Sequence, residues 1–212
     1  MAGEEYTTVA APALGEFEEK RSRFIGEIAP ASTPEEAAAF LDQVRARHRE
    51  ATHHCYAYLL RGGACRFSDD GEPSGTAGRP MLEVLQREGV VDVVAVVTRY
   101  FGGTLLGAGG LVRAYAQGAK TALDAARRVV MRPAAVVALD ADYHQYGKLT
   151  HLLPRHGVRV LDTQFGAGVT LTLLLPRERL EGLAREVGEL SAGTVIPLVL
   201  EEKMAHFPPQ EG

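Results

Sequence analysis

Apolar and polar positions alternate weakly from the start of the chain to about residue 29. Tyr6, Val9, Leu14 and Phe17 come first, and residues 22–29 follow as Ser-Arg-Phe-Ile-Gly-Glu-Ile-Ala. Alternation of period two marks half-buried strands, so the pattern predicts an edge strand and then a second short strand. Ser32 and Thr33 next offer N-caps, Pro34 suits a first helical turn, and Glu35 and Glu36 suit the positive end of a helix dipole. Ala37, Phe40, Leu41 and Val44 then recur at helical spacing, which predicts a helix to about residue 48. Residues 55–60 read as a strand and residues 66–79 as a long polar loop. Pro80 opens a short helix with Met81, Leu82 and Leu85 inward, ending near Gly89. The β-branched run 92–100 reads as a strand buried on both faces. A glycine-rich segment, 102–110, leads into an alanine-rich helix from about 111 to 127.

The pattern changes after Pro133. Residues 136–142 alternate as a strand, 146–155 read as a helix closed by His156-Gly157, and 158–165 and 169–175 form a hairpin about Gly166–Gly168. A helix over 177–190 and a strand over 194–201 complete the order βαββαβ, the split βαβ plan of ferredoxin-like domains. The expected organisation is an α+β chain with one domain over 1–133, a second over 134–204 and a frayed tail over 205–212.

Charge narrows the partners. Residues 1–133 carry 16 Lys and Arg against 17 Asp and Glu, and residues 134–212 carry 7 against 10. Neither half has the cationic excess that drives non-specific binding to nucleic acid, so any such binding needs a local patch. Cys55 and Cys65 lack the spacing of a zinc ribbon or a disulfide framework, and free thiols fit a reducing compartment. The first 25 residues include five Glu and no apolar run of signal-peptide length, and no later run is long enough to span a bilayer. These features place the protein in the cytoplasm, away from membranes.

Three segments carry candidate chemistry. Gly102, Gly103, Gly107, Gly109 and Gly110 lie between a strong strand and a long helix, where free N–H groups favour anions and small residues permit close packing. Both readings stand, and neither the Walker A nor the dinucleotide pattern is present. The loop holding Ser68, Asp69, Asp70, Glu72, Ser74 and Thr76 reads first as a turn fixed by side-chain hydrogen bonds, ahead of a cation site. Arg99, Tyr100 and Phe101 leave the central strand. They form either a patch for phosphates and bases, together with Arg79, Arg113 and Lys120, or core aromatics with Arg99 paired to Asp69 or Asp70. His53 is the candidate acid, base or ligand. His54 and Cys55 are strand neighbours that face opposite ways, and Cys55 reads as a buried, inert thiol. No complete nucleophile–base–orienter set is present, so no catalytic residue, metal or cofactor is assigned.

Four blocks in one order carry a resemblance: Ala51-Thr52-His53-His54-Cys55-Tyr56-Ala57-Tyr58, the run Ser68 to Pro80, Val97-Thr98-Arg99-Tyr100-Phe101-Gly102-Gly103, and the run Leu106 to Tyr115. Over roughly residues 17–127 the chain resembles the YigZ/IMPACT family, departing from it at His54, where Asn is expected. The resemblance implies a first domain like the second domain of ribosomal protein S5 and a ferredoxin-like second domain, together similar to consecutive domains of elongation factor G. It also implies a link to translation, because the eukaryotic relatives are translation regulators that bind the activator of a stress kinase. The expected function is a non-catalytic, translation-linked regulator that binds RNA, the ribosome or a ribosome-associated protein. The alternative is an enzyme acting on a small phosphorylated or amide substrate at the glycine loop and an Asp69/Asp70 cleft.

Overall fold

The computed structural model describes residues 4–207. The α+β architecture divides into two compact units, one over Tyr6–Val129 and one over Val130 onwards, with Glu4 and Glu5 grouped in the second. The division falls before the expected 133/134 position. In the first unit β1 (Tyr6–Val9) precedes β2 (Ala13–Glu19), β3 (Ser22–Pro30), α1 (Pro34–Arg47), β4 (His53–Leu59), β5 (Cys65–Ser68), α2 (Gly78–Arg87), β6 (Val93–Tyr100) and α3 (Ala108–Ala125). The strand order β2-β3-β6-β4-β5 is antiparallel throughout and puts β6 in the middle.

Side chains alternate along β6, and each face has its own core. Val93, Ala95 and Val97 pack with Met81 and Leu85 of α2 and Leu111, Tyr115 and Ala119 of α3. Val94 and Val96 pack with Ala37, Phe40, Leu41 and Val44 of α1. This double burial explains the unbroken apolar run. Thr33 caps α1 by accepting from the Glu36 N–H at 3.2 Å, as its sequence promised. Some boundaries differ from expectation: β4 starts at His53 and α2 at Gly78, each two residues early. β5 (Cys65–Ser68) takes residues 66–68 out of the polar loop, and α3 begins at Ala108, so Gly109 and Gly110 lie within its first turn.

The second unit comprises β7 (Arg128–Ala141), α4 (Tyr143–Leu152), β8 (Arg159–Phe165), β9 (Val169–Pro176), α5 (Leu180–Leu190) and β10 (Leu198–His206). Its strands stand in the order β10-β7-β9-β8, all antiparallel, which is the ferredoxin-like plan. Val137, Leu139, Leu171 and Leu173 pack against Leu149, Leu183 and Val187 of the helices. α4 starts three residues earlier than expected, because Asp142 and Gln145 form a reciprocal capping box. β7 starts at Arg128 and continues through Pro133. β10 begins four residues late and runs on through Ala205 and His206, which are therefore strand and not frayed tail. Phe207 follows the strand, and the rest of the expected tail, 208–212, lies outside the described residues. Among the described residues no helix is long and apolar enough to cross a membrane.

Candidate functional site

The register of four strands sets one row of side chains on the α2/α3 face. Phe17 on β2 stands opposite Phe24 on β3, Phe24 opposite Arg99 on β6, and Arg99 opposite His53 on β4. The two rings stack at 5.2 Å, and the Arg99 guanidinium carbon lies 5.5 Å from the Phe24 centroid. Arg99 is 5% exposed. Its charge is met by Glu72, whose Oε1 accepts from Arg99 Nη1 at 2.6 Å and from the Tyr115 hydroxyl on α3 at 2.7 Å. Ser22 Oγ accepts from Arg99 Nη2 at 3.3 Å and from the Gly102 N–H at 3.2 Å. Arg99 therefore pairs inside the fold, and its partner is Glu72, not Asp69 or Asp70.

Glu72 is held there by its loop. The Asp69 carboxylate accepts from the N–H groups of Gly75 at 2.8 Å, Ala77 at 3.0 Å and Gly78 at 2.9 Å, which caps α2 from eight residues upstream. Asp70 Oδ2 accepts from the His54 N–H at 2.6 Å, and Asp70 Oδ1 lies 3.6 Å from Arg45 Nη2. Ser68 Oγ accepts from the Asp70 N–H, and the Thr76 hydroxyl donates to the Pro73 carbonyl, while Ser74 is exposed. Cys55 donates its thiol to the Asp69 carbonyl at 3.0 Å. Burial pushes the Cys55 thiol well above its ordinary range, and burial does the same to the Tyr115 hydroxyl. The carboxylates of Asp69 and Asp70 thus hold the loop and do not form the acidic cleft expected of them.

His53 faces the same side. Its Nδ1 lies 2.7 Å from the Asp70 carbonyl oxygen. A carbonyl only accepts, so the neutral ring carries its proton on Nδ1 and presents a lone pair at Nε2, 3.8 Å from Glu72 Oε1. His53, Glu72 and Arg99 line a cleft of about 390 Å³ with Phe101, Leu105 and the start of α3 at Gly107 and Ala108. Phe101 is 47% exposed, and its ring centroid stands 5.4 Å from the Arg99 guanidinium carbon.

The glycines at this cleft have different grounds. A Cβ on Gly102 would overlap the Arg21 carbonyl, so that position is close packing. Gly107 has φ 75°, a conformation that side chains other than glycine resist. Gly109 has neither constraint. A Cβ there would meet only Arg113 Nη1, at 3.7 Å. The first N–H groups of α3 have no upstream acceptor, and no side chain caps them.

The structure lines this cleft with His53, Glu72, Arg99, Phe101 and Gly107, sets Gly109 and Arg113 beside each other on the first turns of α3, and leaves out others. Tyr100 follows Arg99 in β6, so it faces α1, where its hydroxyl lies 3.0 Å from His48 Nδ1. Arg79 pairs with Glu83 on α2 at 3.1 Å, and Lys120 pairs with Asp124 and Glu88. The expected patch therefore loses Tyr100, Arg79 and Lys120. Ser22 and Tyr115 are members that sequence reading missed. A tyrosine among the inward alanines of α3 was the available signal.

The chain resembles known proteins in sequence and in fold. Residues 20–123 match the family model described as the Impact N-terminal domain, and residues 139–194 match a domain of unknown function, DUF1949. The IMPACT family member YigZ of Escherichia coli (strain K12) is 38% identical over 205 residues, 94% of this chain and 100% of that one. Protein IMPACT of Xenopus laevis is 34% identical over 96 residues, 42% of this chain and 30% of its own. A solved structure of a hypothetical protein, 38% identical, superposes with a TM-score of 0.62 over 95% of this chain and 100% of that one. By sequence and fold together, the chain belongs to the IMPACT family.

Proposed function

We propose that the protein is a non-catalytic, translation-linked regulator of the cytoplasm that engages RNA on the ribosome through the cleft side of its first unit. The observation that carries the reading is the open start of α3, whose uncapped N–H groups lie beside Arg113. Arg113 has no acidic partner among the described residues, so its charge is available to a phosphate. The near-neutral balance of residues 1–133 makes such a contact local rather than field-driven. Arg99 is neutralised by Glu72, so it shapes the site and leaves the phosphate to α3 and Arg113.

Co-sedimentation with ribosomes across a salt series tests this. Arg113→Ala combined with Gly109→Asp, both at solvent-facing positions, is expected to weaken binding about tenfold and to lower the salt slope by about one. Binding that keeps its strength and slope in the double variant overturns the proposal.

A second reading has one observation behind it. The lone pair of His53 Nε2 faces the cleft, as a general base would, and a small phosphorylated or amide substrate would place its anionic oxygen at α3. Turnover of a phosphoester and amide panel by the wild type, abolished in His53→Asn, would support it. No turnover of any member removes it.

A further inference from the structure

The tight turn between β2 and β3 is built from residues that such a turn disfavours. Glu19 pairs with Ser22, so Lys20 and Arg21 are its whole loop. Both lie in the left-handed region, Lys20 at φ 46° and Arg21 at φ 67°, the signs that a type I′ turn requires. That turn favours Asn-Gly or Gly-Gly, because a Cβ at positive φ crowds the following carbonyl. The chain follows the rule elsewhere: the turn between β4 and β5 holds Gly62 and Gly63 at φ 92° and 88°. Among the described residues, Lys20 and Arg21 are the only consecutive non-glycine residues at positive φ.

The surroundings hold this strained turn in place. A Cβ on Gly102 would lie 1.9 Å from the Arg21 carbonyl oxygen, so the turn rests on the backbone that follows Phe101 of the cleft. Ser22 Oγ accepts from the Gly102 N–H at 3.2 Å and ties the two segments together. This packing uses the backbone of Arg21 and neither side chain. Lys20 and Arg21 are both exposed, and neither has an acidic partner among the described residues. Glu16 is taken by Arg23, and Glu18 and Glu19 form no ion pair with the turn. Strain of this kind persists where the fold imposes it, and residues that lower stability with no return in packing mark functional positions.

We infer that Lys20 and Arg21 are a second phosphate contact of the RNA-facing surface. They stand on the Gly102 side of the cleft, as Arg113 stands on the α3 side. The ligand is the sugar–phosphate backbone of RNA. Adjacent unpaired cations meet neighbouring phosphates and read no base, and a contact on each side of the cleft suits a strand that crosses it. The near-neutral balance of residues 1–133 requires such local contacts. This inference rests on the translation-linked reading and adds where the strand is held beyond α3.

The test separates strain from charge in the full chain. Lys20→Asn with Arg21→Gly installs the residues that the turn prefers. Its thermal midpoint is expected to rise by about 3 °C, while ribosome co-sedimentation weakens about tenfold and its salt slope falls by about two. Lys20→Gln with Arg21→Gln keeps the strained backbone, and is expected to lose the same binding with an unchanged midpoint. Lys148→Gln with Arg185→Gln removes equal charge from exposed positions on α4 and α5, and is expected to leave binding unchanged. Three results overturn the inference: a midpoint that stays or falls in the first variant, binding that survives in either turn variant, or equal loss in the α4/α5 control. Ribosomal RNA freed of protein is the second probe. Wild-type binding to ribosomes with none to that RNA identifies an acidic protein partner, and also overturns the inference. If Arg113→Ala with Gly109→Asp weakens co-sedimentation and the turn variants do not, the turn contact fails and the translation-linked reading survives. The reverse upholds the turn contact and removes the one at α3. No wild-type binding to ribosomes removes both.

Discussion

Arg99 and Glu72 neutralise each other at 2.6 Å, with side chains 6% and 4% exposed. Removing one member leaves an uncompensated buried charge, a loss of about 3–5 kcal/mol. Glu72→Ala is accordingly expected to lower the urea-unfolding free energy by that order, whereas Ser74→Ala in the same loop changes it little. The two thiols differ in the same way: Cys55 is buried and Cys65 exposed. A thiol reagent should modify Cys65 alone in the folded protein and both after unfolding. Cys55 and Tyr115 hold their protons in the fold beyond the ordinary values of 9.0 and 10.0 at which the unfolded chain releases them. The stability this represents is complete below about pH 9 and is lost as pH rises above it, because only the unfolded chain ionises there. Unfolding free energies measured at pH 8 and pH 10 should differ less in Cys55→Ala than in the wild type. Sequence reading found the right residue types here but misjudged their directions. It applied strand alternation to His54 and Cys55 and not to Arg99 and Tyr100, and so counted Tyr100 with the cleft. That Glu72 pairs with Arg99 was not legible, because the pair spans 27 positions and depends on a folded loop.

At the scale of elements, α3 lies close on β3. A Cβ on Gly26 would overlap the Gly118 carbonyl, and one on Gly118 would meet the Val97 methyls at 2.9 Å. Gly118→Ala should therefore destabilise by about 1–3 kcal/mol through overpacking, even though alanine is the better helix former. In the second unit, Asp142→Ala removes the acceptor for the Gln145 N–H at 2.7 Å and should lose about 0.5–2 kcal/mol, read as a lower thermal midpoint. Element types were legible wherever periodicity was long: α1, β6, α3 and the order βαββαβ all follow from it. β5 was not, since Cys65-Arg66-Phe67-Ser68 is exposed and shows little of the alternation that marks a buried face. The start of α4 was legible in principle through Asp142 and Gln145, but the apolar pattern alone begins later.

The whole molecule divides its core. Leu139, Leu171 and Leu183 belong to one cluster and Phe24, Met81 and Tyr115 to another, so each unit buries its own apolar surface. Residues 6–129 prepared alone are expected to unfold in a single cooperative urea transition. A gradual, non-cooperative loss of signal would show that this core is insufficient by itself. The two-part organisation was visible in the change of pattern near Pro133, though β7 crosses that proline and moves the division to Val129/Val130.

Arg99 and His53 face the cleft only because β4 and β6 pair with those two residues opposite one another. In a pleated sheet a slip of one position exchanges the two faces, sending Arg99 towards α1 and bringing Tyr100 to its place. A single-residue deletion within β6 would thus invert the site while preserving its composition. A deletion in the exposed turn at Gly62–Gly63 would leave the β4–β6 ladder untouched. The length of the chain between Thr52 and Phe101 tolerates editing at such turns and nowhere along the strands, so the spacing of residues in this segment is itself part of the binding chemistry.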